Sequence, residues 1–236
     1  MNLQAAIIDL DGTLVDTLGD FVVVLHHTLS DLGCHAVEIA RVDRAFVEHT
    51  VGKGTEDLLR RTLAHAWGVL DDDAEVAQSV PLAWQHYQGH YTRLNGQHSH
   101  VYPGVLEGLQ QLQSLGLPLA CLTNKPTAFA EQLLSSKGLR HHFKQVFGGD
   151  AFERKKPDPM PLLKTCEALG TLPARTVMVG DSSNDAQAAR AAGCPVVLVT
   201  YGYNHGEPID QVPASAHIAR LDALDWAARV GVNPAR

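Results

Sequence analysis

The apolar positions of this chain change their period twice. Ala5-Ala6-Ile7-Ile8 is a short, unbroken apolar run that stops at Asp9, the pattern of a strand buried on both faces. From Thr17 onward the spacing becomes helical. Residues 18–32 carry one apolar stripe and end at Gly33, and the stretches 37–49, 55–67 and 73–92 are further helical candidates. Asn95-Gly96 and Pro103-Gly104 are turn signals. Beyond them, strand-like runs at 117–122, 145–147, 176–179 and 196–200 alternate with helical stretches at 105–115, 127–137, 160–169 and 184–192. Pro126 suits a first helical position, Gly138 and Gly193 suit helix ends, and Asp158-Pro159 suits an N-cap followed by the first helical residue. Alternation with short connections predicts an α/β fold built on a doubly wound parallel sheet with right-handed crossovers. The helical stretch predicts an inserted domain, with residues 1–16 and 96–236 as the α/β core and 17–95 as the helical insert.

In such sheets ligands sit at the carboxyl ends of the strands, and four polar clusters fall there. The first is Asp9-Leu10-Asp11-Gly12-Thr13. Two carboxylates two residues apart point to the same side of a pleated strand, and Gly12 lets the backbone turn so that both face one ligand. Acids so close repel unless one is protonated or a cation lies between them. The second, Thr123-Asn124-Lys125-Pro126, offers a hydroxyl and main-chain N–H groups to phosphate oxygens. In the third, Lys155-Lys156-Pro157-Asp158-Pro159, Lys156 can place a point charge on a transferring phosphoryl group. The fourth, Gly180-Asp181-Ser182-Ser183-Asn184-Asp185, sets two more carboxylates between a strand and a helix. Each has an ordinary explanation alone: a polar turn, a helix cap, a solvated lysine, a second cap. Their joint order, with every member at a strand end, points to a phosphate-transfer site.

Composition narrows the classes. With 236 residues and a formal net charge of −7, a broad electropositive surface for nucleic acid or anionic lipid is not expected. Cys34, Cys121, Cys166 and Cys194 form no C-x-x-C pair, which leaves a zinc or disulfide framework without support and fits free thiols in a reducing compartment. No apolar run is long enough to cross a bilayer, so a cytoplasmic protein is expected, with neither nucleic-acid nor membrane partners. The oligomeric state is not encoded legibly. His86 and His90 have the i, i+4 spacing of a metal pair but lack the Glu of H-E-x-x-H, and read as a solvated or half-buried helix face. Tyr87 and Tyr91 read as helical core, and Asp71-Asp72-Asp73 as a loop and N-cap.

The set Asp9-x-Asp11-Gly12-Thr13, Thr123-Asn124, Lys156-Pro157 and Gly180-Asp181-x-x-Asn184-Asp185 resembles the four motifs of the haloacid dehalogenase superfamily in its phosphatase branch. The insert resembles that superfamily's helical cap. The resemblance implies that Asp9 attacks phosphorus to form an aspartyl-phosphate, and that Asp11 protonates the leaving oxygen and then activates water. It implies Mg²⁺ held by Asp9, the main-chain carbonyl of Asp11 and Asp181, with Asp185 ordering a metal-bound water. Thr123, Asn124 and Lys156 would bind the phosphate and stabilise charge on its equatorial oxygens. Dehalogenases of the same superfamily use one Asp and no metal, so Asp11 and the fourth motif argue against that activity.

Two further stretches, Thr50-Val51-Gly52-Lys53-Gly54 and Tyr201-Gly202-Tyr203-Asn204-His205-Gly206-Glu207-Pro208-Ile209, are similar to the bacterial phosphoglycolate phosphatase subfamily. That similarity implies a small phosphorylated metabolite, 2-phosphoglycolate, hydrolysed to glycolate and phosphate. Lys53, flanked by glycines, is then the candidate for the substrate carboxylate; its Gly-Lys-Gly lacks the spacing of a P-loop. The alternatives share the fold: a phosphatase for a sugar phosphate such as N-acetylmuramate 6-phosphate or for a nucleotide, a phosphosugar mutase, or a non-catalytic regulatory protein. The last would predict loss of Asp9, Asp11, Lys156 or Asp181, and all four are present. Turn chemistry near Thr17 and at 95–103 predicts opening and closing of the insert.

Overall fold

The computed structural model describes residues 2–230. In chain order, β1 (Ala5–Ile8) and β2 (Val15–Asp16) precede five helices: α1 (Leu18–Asp31), α2 (Ala36–Ile39), α3 (Arg44–Thr50), α4 (Thr55–Trp67) and α5 (Ala74–Leu94). There follow β3 (His100–Val101), α6 (Val105–Ser114), β4 (Leu119–Leu122), α7 (Thr127–Ser136), β5 (Gln145–Phe147) and α8 (Met160–Leu169). The last elements are β6 (Thr176–Gly180), α9 (Ser183–Ala192), β7 (Val196–Val199), β8 (Ala216–Ile218) and α10 (Trp226–Val230). The chain divides into two compact units, Met1–Asp16 with Val101–Arg236, and Thr17–His100.

The first unit is built on a six-stranded parallel sheet in the order β5-β4-β1-β6-β7-β8; β2 and β3 form a separate two-stranded sheet. The β1 side chains divide by the two-residue period of a strand. Ala6 and Ile8 join a core with Leu109, Leu112, Leu133, Val177 and Val179, while Ala5 and Ile7 join the opposite core with Leu122, Leu162, Met178, Ala186 and Leu198. A strand buried on both faces and flanked by β4 and β6 is the most constrained place in the sheet. In register, Ile8 lies opposite Cys121 on one side and Val179 on the other, so the residues that follow β1, β4 and β6 emerge side by side.

The helical unit packs α1 against α5, and α5 against α4. Leu18, Phe21, Val24, Leu25 and Leu29 line the buried stripe of α1. Tyr87 and Tyr91 are core, as their spacing suggested, with ring centroids 5.1 Å apart, and Phe21 lies 5.7 Å from Tyr91. Asp20, fully buried in the first turn of α1, accepts from Gly96 N at 2.8 Å and His98 N at 2.6 Å, fixing the loop that follows α5.

Three local expectations need correction. The stretch 37–49 is two helices, because Asp43 is extended and its side chain caps α3 by accepting from Phe46 N at 2.8 Å. Pro126 is extended (ψ 141°) and immediately precedes α7 rather than opening it. Asp158 accepts from Met160 N at 2.9 Å, but the residue at the cap position of α8 is Pro159. The short β2, β3, β8 and α10 were not anticipated. The cysteines are free, and no helix among the described residues is long and apolar enough to cross a membrane.

Candidate functional site

The carboxyl ends of the central strands carry the candidate residues. Asp9 continues β1 and is held by its N–H donating to Val179 O at 2.9 Å; Thr123 follows β4, its N–H donating to Phe147 O at 3.0 Å; Asp181 follows β6. After Asp9 the chain turns sharply, with Gly12 N donating to Val15 O at 2.9 Å. Gly12 has φ +83°, and a Cβ there would lie 2.1 Å from Asp181 Oδ2, so both backbone conformation and close approach require glycine.

Lys156 reaches this point from the loop before α8. Its Nζ donates to Leu122 O at 2.9 Å and Asp185 Oδ1 at 2.7 Å, and stands 2.8 Å from Asp9 Oδ1. The last contact is an ion pair without hydrogen-bond geometry. Asn124 positions the lysine's main chain: its Nδ2 donates to Lys156 O at 2.9 Å, and its Oδ1 accepts from Lys156 N at 3.1 Å. Asn124, expected against substrate, thus has both ends of its amide committed to another strand-end loop.

The acids are anchored from several directions. Asp181 Oδ1 accepts from Thr13 Oγ1 at 2.8 Å, and Asp181 Oδ2 accepts from Tyr203 N at 2.6 Å. Asp185 Oδ2 accepts from Asp181 N and Ser182 N, each at 3.2 Å, and from Ser182 Oγ at 2.7 Å. Asp11 is half-buried, and its Oδ1 accepts from Lys125 Nζ at 2.6 Å. Thr123 Oγ1 accepts from Lys125 N at 3.2 Å, which leaves its own hydrogen to donate.

Four carboxylates therefore face two ammonium groups. Burial pushes Asp9 up to about 7, against the pull of Lys156, and burial together with the charges of Asp9 and Asp185 pushes Asp181 well above the usual carboxylate range. Burial alone would lower the Lys156 ammonium, but Asp185 and Asp9 hold it above its ordinary value. Asp9, Asp181 and Asp185 are buried and each offers an oxygen within 4.8 Å of the others. An all-oxygen set with excess negative charge fits a hard divalent cation. The Asp11 carboxylate lies outside that group, paired with Lys125 instead.

The segment after β7 closes over the acids. Besides the Tyr203 main-chain bond, Tyr203 OH donates to Asp16 Oδ1 at 2.7 Å, and Tyr201 OH donates to Thr13 O at 2.8 Å. Asn204 Oδ1 accepts from Ser183 N at 2.7 Å, at the start of α9. Sequence reasoning gave Lys125, Tyr201, Tyr203 and Asn204 no such roles; the Tyr-Gly-Tyr-Asn cluster itself was the available signal. Lys53 lies in the helical unit, exposed in the turn between α3 and α4 and flanked by Gly52 (φ 112°) and Gly54 (φ 100°).

Residues 6–199 match the family model described as haloacid dehalogenase-like hydrolase. The chain is 39% identical over 221 residues to a phosphoglycolate phosphatase of Thiobacillus denitrificans, covering 93% of this chain and 92% of that protein. It is 36% identical over 221 residues to the phosphoglycolate phosphatase of Escherichia coli K12, covering 89% and 86%. Among solved structures, a "predicted phosphoglycolate phosphatase" from Haemophilus somnus 129PT aligns with a TM-score of 0.84 at 30% identity, over 94% of this chain and 96% of that one.

Proposed function

Since the chain belongs to the haloacid dehalogenase-like hydrolase family and is a phosphatase of it, we propose that it hydrolyses 2-phosphoglycolate to glycolate and phosphate through an aspartyl-phosphate on Asp9. The observation that carries the chemistry is the meeting of Asp9, Thr123 and Asp181, at the ends of adjacent strands, with Lys156 from the loop before α8. The likeness to phosphoglycolate phosphatases over most of the chain supports the substrate.

Asp9, Asp181 and the main-chain carbonyl of Asp11 would hold Mg²⁺, with Asp185 ordering one of its waters; when bound, the ion neutralises phosphate charge and keeps Asp9 ionised. The Asp9 carboxylate attacks phosphorus as the bond to the glycolate oxygen breaks, and Asp11 gives that oxygen its proton. Lys125 occupies Asp11 Oδ1, leaving Oδ2 to carry the transferred proton. Asp11, now a carboxylate, takes a proton from water as that water attacks phosphorus, releasing phosphate and restoring Asp9. The Thr123 hydroxyl donates to a phosphoryl oxygen, and Lys156 keeps a fixed positive charge beside the reacting group. Asn124 acts by holding the Lys156 main chain.

Lys53 is the cation proposed for the substrate carboxylate. Lys53→Met should raise KM for 2-phosphoglycolate by about 10-fold while leaving hydrolysis of an uncharged-leaving-group ester unchanged, since one solvent-accessible charge contact accounts for roughly 1.4 kcal/mol at that ratio. An equal effect on both esters would remove Lys53 from substrate recognition. The substrate itself is tested by kcat/KM for 2-phosphoglycolate against sugar phosphates and nucleotides, with Mg²⁺ and with chelator. A Mg²⁺-dependent preference of about 100-fold, roughly 2.7 kcal/mol, is expected. A sugar phosphate or nucleotide in first place would reassign the substrate and leave the phosphatase chemistry standing.

A further inference from the structure

In the helical unit, α1 and α5 pack along each other, and each carries two metal-ligating side chains one turn apart. These are His27 and Asp31 on α1, and His86 and His90 on α5. Residues four apart share a helix face, and here the two faces converge. His90 Nε2 lies 2.7 Å and His86 Nδ1 3.2 Å from the same oxygen, Asp31 Oδ2. The His27 ring stacks on His90, with centroids 5.1 Å apart and planes at 20°. The hydrogen bond from His90, with the neighbouring imidazoles, holds the Asp31 carboxyl below its usual range. The cluster is open to solvent: His27 and Asp31 are exposed, and His86 and His90 are half-buried.

We propose that His27, Asp31, His86 and His90 form a binding site for a borderline divalent transition-metal ion of the Zn²⁺ class. Three imidazoles and one carboxylate make a nitrogen-rich, four-donor set. It is chemically unlike the all-oxygen cluster of the α/β unit. The α/β cluster is the group among the described residues whose donor atoms already lie within 4.8 Å of one another. At the helical site the rings turn inward on binding, a rotamer change open to exposed side chains.

Arg93 opposes the ion. Its guanidinium nitrogen lies 2.7 Å from His90 Nδ1, and because arginine only donates, Nδ1 is the acceptor and the His90 proton sits on Nε2 toward Asp31. Ligation through Nε2 shifts that proton to Nδ1, with none gained or lost overall, and the exposed Arg93 side chain swings away.

The test is calorimetric titration of the full-length, tag-free chain with Zn²⁺ in saturating Mg²⁺, so that the oxygen site is filled. One equivalent of Zn²⁺ should bind, and His86→Ala/His90→Ala should weaken it by about 100-fold or more without changing Mg²⁺-supported phosphatase turnover. Arg93→Ala should tighten it. Ring-nitrogen NMR shifts should move for His27, His86 and His90. The same Zn²⁺ affinity in the double variant, or shifts confined to other histidines, would overturn the site. A circular dichroism melt checks that the double variant is folded, and His27→Ala, which leaves α5 intact, should weaken binding on its own.

Discussion

Burial pushes the Asp9 carboxyl up to about 7 although the Lys156 ammonium stands 2.8 Å from its Oδ1, so its charge near neutral pH responds to any further cation brought beside it. Asp9→Asn keeps the shape and removes the proposed nucleophile. Turnover should fall by about 10⁴-fold or more, with an unchanged circular dichroism spectrum; undiminished activity would sink the nucleophile assignment. Gly202 tests the closing segment. A methyl there would meet Asp181 Cβ at 2.3 Å and Gly12 O at 2.4 Å, and Asp181 cannot retreat without breaking its bonds from Thr13 and Tyr203. Gly202→Ala should cost roughly 1–3 kcal/mol in urea unfolding and raise the Mg²⁺ concentration that gives half-maximal activity. If both stay at their original values, the segment does not position Asp181. The strand-end location of Asp9, Thr123 and Asp181 was legible because each stands at the abrupt end of an apolar run or beside a glycine, whereas Lys156, expected at a strand end, comes from far along the loop between β5 and α8. The pairing of Lys125 with Asp11, 114 positions away, and the Asn124 clamp on Lys156, 32 positions away, depend on which strands become neighbours, which no local pattern states.

At the scale of elements, burial explains most of what was legible. β1, β4, β6 and β7 are buried along their length and were legible as strands, whereas β5 and β8 are both three residues of mixed exposure at the sheet edges; β5 was legible because Val146-Phe147 runs into Gly148-Gly149, and β8 has no such punctuation. The break between α2 and α3 was hidden because Val42, fully buried inside it, continues the apolar pattern. Asp20 was also silent, an acid in a helical stripe that looks solvated until the loop after α5 is in place. Its two oxygens satisfy two main-chain N–H groups, so Asp20→Ala leaves both donors without their acceptor. The expected cost is about 2–4 kcal/mol, read as a lower denaturant midpoint and as faster proteolysis at 95–98. A cost under about 0.5 kcal/mol would mean that water replaces the carboxylate and that this contact does not fix the loop.

For the whole molecule, the cation proposed at the acidic cluster predicts a stability that depends jointly on pH and on divalent cation. Asp9 is raised from its ordinary value of 3.8 to about 7, and Asp181 is raised well above the same value. Across that interval the folded chain binds more protons than the unfolded one, so these groups make stability fall as pH rises, until Asp9 has titrated near 7. A divalent cation competes with those protons, and its stabilisation grows with free concentration over Kd. The thermal midpoint in Mg²⁺ should therefore exceed that in chelator by a margin that widens from about pH 5 to about pH 8. The net charge of −7 also weakens the fold at high pH, but it acts in both solutions, so the difference between them isolates the cluster. Asp181→Asn, which removes one of the shifted carboxyls and a proposed ligand, should narrow the margin at about pH 8. A margin that ignores pH, or that survives Asp181→Asn at full size, would place the cation away from Asp9 and Asp181 and leave their burial without the compensation proposed for it.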